Sequence, residues 1–180
     1  MAFECETKIL EVNPNNIRKL LKKLGAKKVL QTRLYVDWFE EKAMTFKKAK
    51  WFLRIRTDTS GNAEITWKAK SKITGKTRRH REINIKITEP KIMELLFQSI
   101  GLKKYAHQEK DRISWNYKNW HFDLDTYPNM SPYLEIEGKS DKHIQQAIKL
   151  LKLASYEQSA EGERVLIERK YKINWFDMRF

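Results

Sequence analysis

Acids recur on alternate positions at separated places in this chain. Glu4 and Glu6 flank Cys5, Asp123 and Asp125 flank Leu124, and Glu135 and Glu137 flank Ile136. Side chains of a β-strand alternate between its faces, so each pair presents its carboxylates from one side. Oxygen-rich clusters of this kind suit Mg²⁺ or Mn²⁺. Lys8 continues the face of Glu4 and Glu6 and offers a point charge for phosphate. Other stretches alternate bases: Arg54 with Arg56, Lys68 with Lys70, and Lys110 with Arg112. Such groups grip phosphate oxygens through charge-assisted hydrogen bonds. Carboxylates for metal and cations for phosphate, sorted onto different strands, match the needs of a metal-bound polyphosphate. The simpler alternative is a wet sheet face laced with exposed ion pairs, each worth little. The near-uniform charge sign along each strand argues against it.

These residues need strands to position them. Alternation predicts strands over residues 3–9, 29–39, 51–57, 64–70, 78–87, 110–117, 120–126 and 133–138. The faces opposite the charges are apolar, with Phe3, Cys5 and Ile9, then Leu53 and Ile55, Ile65 and Trp67, and Phe122 and Leu124. In 78–87 the isoleucines alternate, which groups Arg78, His80, Glu82, Asn84 and Lys86. If the strands curve into a barrel, the charged faces line its inside. His121 shares a face with Asp123, where a lone histidine reads as structural. No Ser/His/Asp or Cys/His set is present.

Helices are expected to cover the apolar faces. Asn13-Pro14 opens one, Ile17, Leu20, Leu21 and Leu24 give it helical spacing, and Gly25 stops it. Thr88-Glu89-Pro90 starts a second with Ile92, Leu95, Leu96 and Ile100 as its apolar stripe. A third starts near Ser140 and carries Ile144, Ala147, Ile148 and Leu151, and a short helix is expected over 163–170 before Trp175 and Phe176. The charged stretch 40–50 and the stretch 71–77 read as loops, and Ser60-Gly61-Asn62 as a hairpin turn. Leu20-Leu21 to Gly25 is echoed by Leu95-Leu96 to Gly101, which suggests paired halves over 1–75 and 76–156 in a single 1–180 domain, with a tail from 157.

Composition bounds the function. An apolar content of 41% supports a packed core, and no apolar run reaches the roughly 18–20 residues that span a bilayer. The opening residues lack a signal-peptide pattern, so a cytoplasmic protein with no membrane partner is expected. A single cysteine, Cys5, excludes an internal disulfide framework and a cysteine-rich metal site. A formal charge of +14 calls for an anionic partner: nucleic acid, a membrane surface or a phosphorylated small molecule.

The motifs in chain order resemble the CYTH superfamily, also called triphosphate tunnel metalloenzymes. The resemblance rests on Glu4-x-Glu6-x-Lys8, Leu53-Arg54-Ile55-Arg56, Thr66-Trp67-Lys68, Arg81-Glu82, Lys110-Asp111-Arg112, Leu124-Asp125 and Leu134-Glu135-Ile136-Glu137-Gly138. It covers about residues 1–156 and is nearest to bacterial class IV adenylyl cyclase-like proteins. It implies an α+β fold: an eight-stranded antiparallel closed β-barrel, or tunnel, with flanking helices and a charged interior. It also implies Mg²⁺ or Mn²⁺ dependence and a small-molecule triphosphate substrate.

By this resemblance Glu4, Glu6, Asp123, Asp125, Glu135 and Glu137 would hold metal. Lys8, Arg54, Arg56, Lys110 and Arg112 would be catalytic and grip the triphosphate, helped by Arg33, Lys68, Lys70 and Arg81. Arg79 and Glu82 are secondary candidates. Asn84 departs from the family, which often carries a second acid there. The expected activity is metal-dependent phosphoanhydride hydrolysis of an inorganic, thiamine or nucleoside triphosphate. The alternative is a class IV adenylyl cyclase that turns ATP into cyclic AMP and pyrophosphate. A non-catalytic polyphosphate or single-stranded nucleic-acid module is the third reading, disfavoured because the acids would repel a phosphate backbone. A homodimer stays open.

Overall fold

The structure is a computed structural model that describes residues 2–41 and 50–180, with side chains from Glu4 onward. Most of the loop expected over 40–50, and the apolar role expected for Phe3, therefore lie outside the described residues. The alternating stretches form β1 (Ala2–Ile9), β2 (Lys27–Glu41), β3 (Trp51–Asp58), β4 (Ala63–Ala69), β6 (Thr77–Ile87), β7 (Leu102–Tyr117), β8 (Trp120–Thr126) and β9 (Tyr133–Gly138). A short β5 (Lys72–Thr74) forms within the stretch expected to be a loop, and β10 (Gln158–Ser159) adds to β1.

Neighbouring strands run β1-β9-β8-β7-β2-β3-β4-β6, and β6 pairs back onto β1, so the antiparallel sheet closes as a ring of eight strands. The closing register sets Glu4 opposite His80 on one side, and on the other Glu6 opposite Glu137 and Lys8 opposite Glu135. Glu4, His80, Glu135 and Glu137 consequently meet inside the ring. β2 and β7 are longer than alternation alone suggests, at 15 and 16 residues, and pair along nearly their full lengths.

Outside the ring, α1 (Pro14–Leu24) starts under the Asn13 side chain, which accepts from the backbone N–H groups of Asn15 and Asn16. It ends at Gly25, whose φ of 83° is left-handed. Ile17 and Leu21 from α1, with Ile144, Ala147 and Ile148 from α3 (Asp141–Leu150), pack on Cys5, Phe122, Leu124, Leu134 and Ile136. The C-terminal segment packs Leu166, Ile167, Trp175 and Met178 against Leu10, Ala106, Tyr127 and Tyr133. It contains α4 (Glu163–Leu166), which runs on into a π-helical turn, Ile167–Tyr171.

The second helix, α2 (Pro90–Ser99), corrects one expectation. It buries Phe97 against Phe39, Ile55, Ile65 and Leu102, while Ile92, Leu95, Leu96 and Ile100 face outward. The helix is apolar on both sides, so spacing alone cannot choose its buried face. Among the described residues no helix is long and apolar enough to cross a membrane.

Two substitutions test this packing. Leu21→Ala removes a side chain with no exposure and should destabilise by about 2–5 kcal/mol in urea unfolding. Leu95→Ala, at 57% exposure, should stay within about 0.5 kcal/mol. Equal losses would contradict the orientation of α2.

Candidate functional site

The ring encloses a cavity of about 250 Å³ with an acidic wall and a basic wall. The acidic wall comes from β1, β8 and β9. Glu4, Glu6 and Glu137 offer ligand oxygens within 4.8 Å of one another, and so do Asp123, Glu135 and Glu137. Burial, followed by the charges of Glu4, Glu135 and Asp123, pushes the Glu137 carboxyl well above its ordinary range. Burial and the charge of Glu6 raise Glu135 as well. This wall holds more negative charge than its own cations neutralise, and its donors are all carboxylate oxygens. Both properties fit a hard divalent cation shared through Glu137.

A third cluster, Glu4, His80 and Glu82, already has a cation. The Lys68 ammonium lies 2.5 Å from Glu82 and 3.3 Å from Glu4. His80 Nε2 is 3.0 Å from Glu4 and 3.2 Å from Glu82. Against the cost of burial, the His80 hydrogen bond and the Lys68 charge hold Glu82 far below the usual carboxylate range.

On the opposite wall, β3 places Arg54 and Arg56 inward. Arg56 pairs with Glu64 at 2.9 Å. Burial, then repulsion from Arg54 and Arg112, lowers its pKa. Arg54 is only 8% exposed, its Nε has no hydrogen-bond partner, and it makes no ion pair among the described residues. Its contact is with the Trp38 ring, 5.6 Å from the guanidinium carbon to the ring centre. Burying a guanidinium without a carboxylate partner is costly, so this position favours an anion.

Behind these walls lies a denser ion-pair network. Lys8 reaches Glu135 at 2.7 Å and Glu6 at 3.2 Å, and Arg78 hydrogen-bonds Glu6 through Nε at 2.6 Å. Arg112 grips Asp125 through Nε and Nη2, both at 2.6 Å, and also pairs with Asp123. Lys110 bridges Asp125 at 2.8 Å and Glu163 at 2.5 Å. The Tyr127 and Tyr133 hydroxyls donate to Glu163 at 3.0 and 2.7 Å.

The structure thus sorts the residues singled out from the sequence. Glu4, Arg54, Arg56, Lys68, Arg112, Asp123, Glu135 and Glu137 line the cavity. Lys110 lines it too, but its charge is spent on Asp125 and Glu163. Glu6, Lys8 and Asp125 are almost wholly buried in ion pairs, which makes Asp125 a hub for Arg112 and Lys110. Three substrate-binding candidates fall elsewhere. Arg33 projects outside the ring, bonds Asp111 at 2.7 and 3.0 Å, and stacks 3.7 Å from the Phe180 ring centre. Lys70 lies past the end of β4 and is exposed. Arg81, like Arg79, is exposed and occupies the outer parity of β6, because Arg78, His80 and Glu82 take the inner one.

Glu64, Arg78, His80, Tyr127, Tyr133 and Glu163 were not identified as site residues from the sequence. Alternation already grouped Arg78 and His80 with Glu82. Glu163 left no such signal, because only packing of the tail carries it to Lys110. That tail is pinned across one end of the ring. Gln108 donates to the Trp175 carbonyl at 3.2 Å, and the Glu109 N–H donates to the Met178 carbonyl at 2.8 Å. His121 faces the cavity, its Nε2 3.0 Å from Asp123 and its Nδ1 2.5 Å from Asn116.

The CYTH domain family model matches residues 2–171. No curated protein matches the chain in sequence. Among solved structures, a Pyrococcus horikoshii protein is 23% identical with a TM-score of 0.70, over 86% of this chain and 94% of that one. A Vibrio parahaemolyticus protein described as a candidate adenylate cyclase is 13% identical with a TM-score of 0.79, over 92% of this chain and 98% of that one. A Hippeastrum protein, described as a candidate adenylyl cyclase with a dominant triphosphatase activity, is 14% identical with a TM-score of 0.69, over 99% and 100%. At these identities the likeness is one of fold.

Glu137 supplies a pH test. Its pKa is raised in the folded protein. In metal-free protein its contribution to stability is therefore present below the ordinary glutamate value of about 4.3, and is lost as pH climbs through the raised value. A divalent cation bound there would remove that loss by taking the proton's place. At roughly a hundredfold excess over its Kd, such an ion, for example Mn²⁺, would stabilise by about 2.7 kcal/mol. Its effect on melting temperature should be larger near pH ~8 than near pH ~5, with Glu137→Gln flattening the difference. A metal effect equal at both pH values and unchanged in Glu137→Gln would refute this site.

Proposed function

Because the chain belongs to the CYTH domain family, we propose that it is a divalent-metal-dependent enzyme that hydrolyses a phosphoanhydride bond of a triphosphate inside the ring. Arg54 is the observation that carries this reading. It is a buried guanidinium with no ion pair among the described residues, set across the cavity from the Glu137 carboxyl, which likewise has none there. A triphosphate with its metal supplies both missing charges at once.

Glu4 and Glu137, with Asp123 and Glu135 beside them, would hold Mg²⁺ or Mn²⁺. When bound, the ion neutralises phosphate oxygens and stabilises charge in the transition state. Arg54 and Arg56 would take the phosphate oxygens from the opposite wall, with Arg112 and Lys68 at its flanks. Phosphoryl transfer passes through a loose transition state with charge spread over the equatorial oxygens, so positioned cations do most of the work. Glu6, Lys8, Asp125, Lys110 and Glu163 would act at one remove, by fixing the orientations of Arg78, Glu135 and Arg112. Water is the attacking group in this reading.

The Hippeastrum protein's described triphosphatase activity favours hydrolysis. Adenylyl cyclisation uses the same grip on the phosphates, with a ribose 3′-hydroxyl attacking the α-phosphorus and pyrophosphate leaving. The description of the Vibrio protein supports that second reading.

Product analysis tests the proposal. With Mg²⁺ or Mn²⁺ and tripolyphosphate, thiamine triphosphate or ATP in separate reactions, orthophosphate is the expected product. Cyclic AMP with pyrophosphate would select the cyclase instead, and no turnover of any of these substrates would sink both. Arg54→Ala should lower kcat/KM by about 10²–10³, the scale for losing one preorganised charge-stabilising donor. Arg81→Ala, on the outer face, should leave it nearly unchanged.

A further inference from the structure

The interior of the ring sets bases against acids, so the formal charge of +14 is carried largely on the outside. Part of it is gathered in one place. Residues 12–36 contain seven lysines and arginines and no acid. Arg33 is paired with Asp111. The others, Arg18, Lys19, Lys22, Lys23, Lys27 and Lys28, are exposed and make no ion pair among the described residues. Arg18 and Lys22 are four apart on α1, as are Lys19 and Lys23, a spacing at which like charges repel. The tail, by contrast, interleaves its signs: Arg169 meets Glu161 at 2.9 Å and Lys170 meets Glu157 at 2.5 Å.

These cations border a groove of about 290 Å³ on the outer surface, between α1 and the β2–β7 pair. Arg18, Lys22 and Lys28 line it, with Gln31 accepting from Lys28 at 2.9 Å, and Ala26, Ile113 and Trp115 complete it. Among the described residues no carboxylate lines it. The basic surface runs on past the end of α1. A Cβ on Gly25 would stand 3.9 Å from the Tyr117 ring, and Tyr117, Trp120 and His143 stack in a row with ring centres 6.1 and 4.4 Å apart. Lys118, Lys139 and Lys142, all exposed, extend the positive charge along that row, with Asp141 the acid between the last two.

We infer that this outer face docks the phosphate backbone of a duplex nucleic acid. Backbone binding needs cations presented together on a rigid surface, and it carries no sequence information. The acids that repel a phosphate backbone lie inside the ring, across the sheet from this face. A lipid surface fits less well, because α1 spends Ile17 and Leu21 on the core and keeps no apolar face for a bilayer. A single strand fits less well too. Trp115 and Trp120 are only 5% and 8% exposed, so neither indole is free for bases to stack on. A duplex keeps its bases inside and offers phosphates alone. The inference does not depend on the triphosphate reading, since the groove and the cavity lie on opposite sides of the sheet.

Fluorescence anisotropy tests it with labelled duplexes of about 20 base pairs, one DNA and one RNA. Both carry 5′-hydroxyl ends, so neither brings a terminal phosphate to the cavity. Dissociation constants of about 10⁻⁶–10⁻⁴ M are expected at physiological salt, with log K falling against log salt at a slope of about −4. Arg18→Glu/Lys28→Glu should weaken binding by about tenfold and flatten the slope by about two. Lys72→Glu/Lys91→Glu, at exposed positions of β5 and α2, changes the net charge equally and should weaken it far less. Melting temperature shows that each variant is folded. No binding of either duplex, an affinity indifferent to salt, or equal losses in the two variants would overturn the inference. Binding to phosphatidylserine vesicles in preference to both duplexes would assign the face to a membrane and overturn it as well.

Discussion

Everything in this molecule follows from enclosing ionised side chains in a closed ring of strands. Removing a charge from water costs several kcal/mol even after the protein relaxes, roughly, and only close opposite charges and hydrogen bonds offset that cost. The ring meets the constraint strand by strand. Lys8 is surrounded by Glu6 and Glu135, Arg112 by Asp125 and Asp123, and Lys110 by Asp125 and Glu163. Where pairing is complete, the groups form a rigid layer that sets the orientation of its neighbours. Where it is incomplete, at Arg54 and around Glu137, the surplus charge faces the cavity. Arg54 and Glu137 are thus the charged groups of the cavity lining that make no ion pair among the described residues.

The same constraint explains the exterior. A ring with a polar inside has its apolar residues on the outside, an inversion of the ordinary globular arrangement. That outer surface must be covered. α1 and α3 cover one side, Phe97 of α2 another, and the C-terminal segment a third. Coverage by the tail has a chemical consequence at Glu163. The carboxylate enters one end of the ring and shares Lys110 with Asp125, while accepting from Tyr127 and Tyr133. A segment that serves as a lid for the core also completes the internal charge balance and contributes Trp175 and Arg164 to the cavity.

Cations of similar sequence appearance take different roles through parity and reach. Arg54 and Arg56 share an inward face and crowd one another. Arg33 differs from them only in lying on the outer parity of β2, and it spends its charge on Asp111 and on Phe180. Arg78 and Arg79 are adjacent in the chain, yet Arg78 reaches Glu6 inside the ring whereas Arg79 projects outside.

The sequence by itself determined eight strands and most of the acidic and basic walls, because strand periodicity is a local steric property; β2 breaks the pattern, with Arg33 on its outer parity. It also placed Arg78 and His80 beside Glu82, although motif likeness pointed to Arg81. The tertiary structure alone decided which charges are consumed in pairs and which face the cavity unpaired. Asp125 and Glu137 look equivalent along the chain. Ring closure buries Asp125 between Arg112 and Lys110, and leaves Glu137 among Glu4, Asp123 and Glu135. The outward turn of the Leu95 face and the arrival of Glu163 at Lys110 were likewise settled by packing. Both depend on contacts between residues distant in sequence, and electrostatic balance is a sum over such contacts that no local pattern contains.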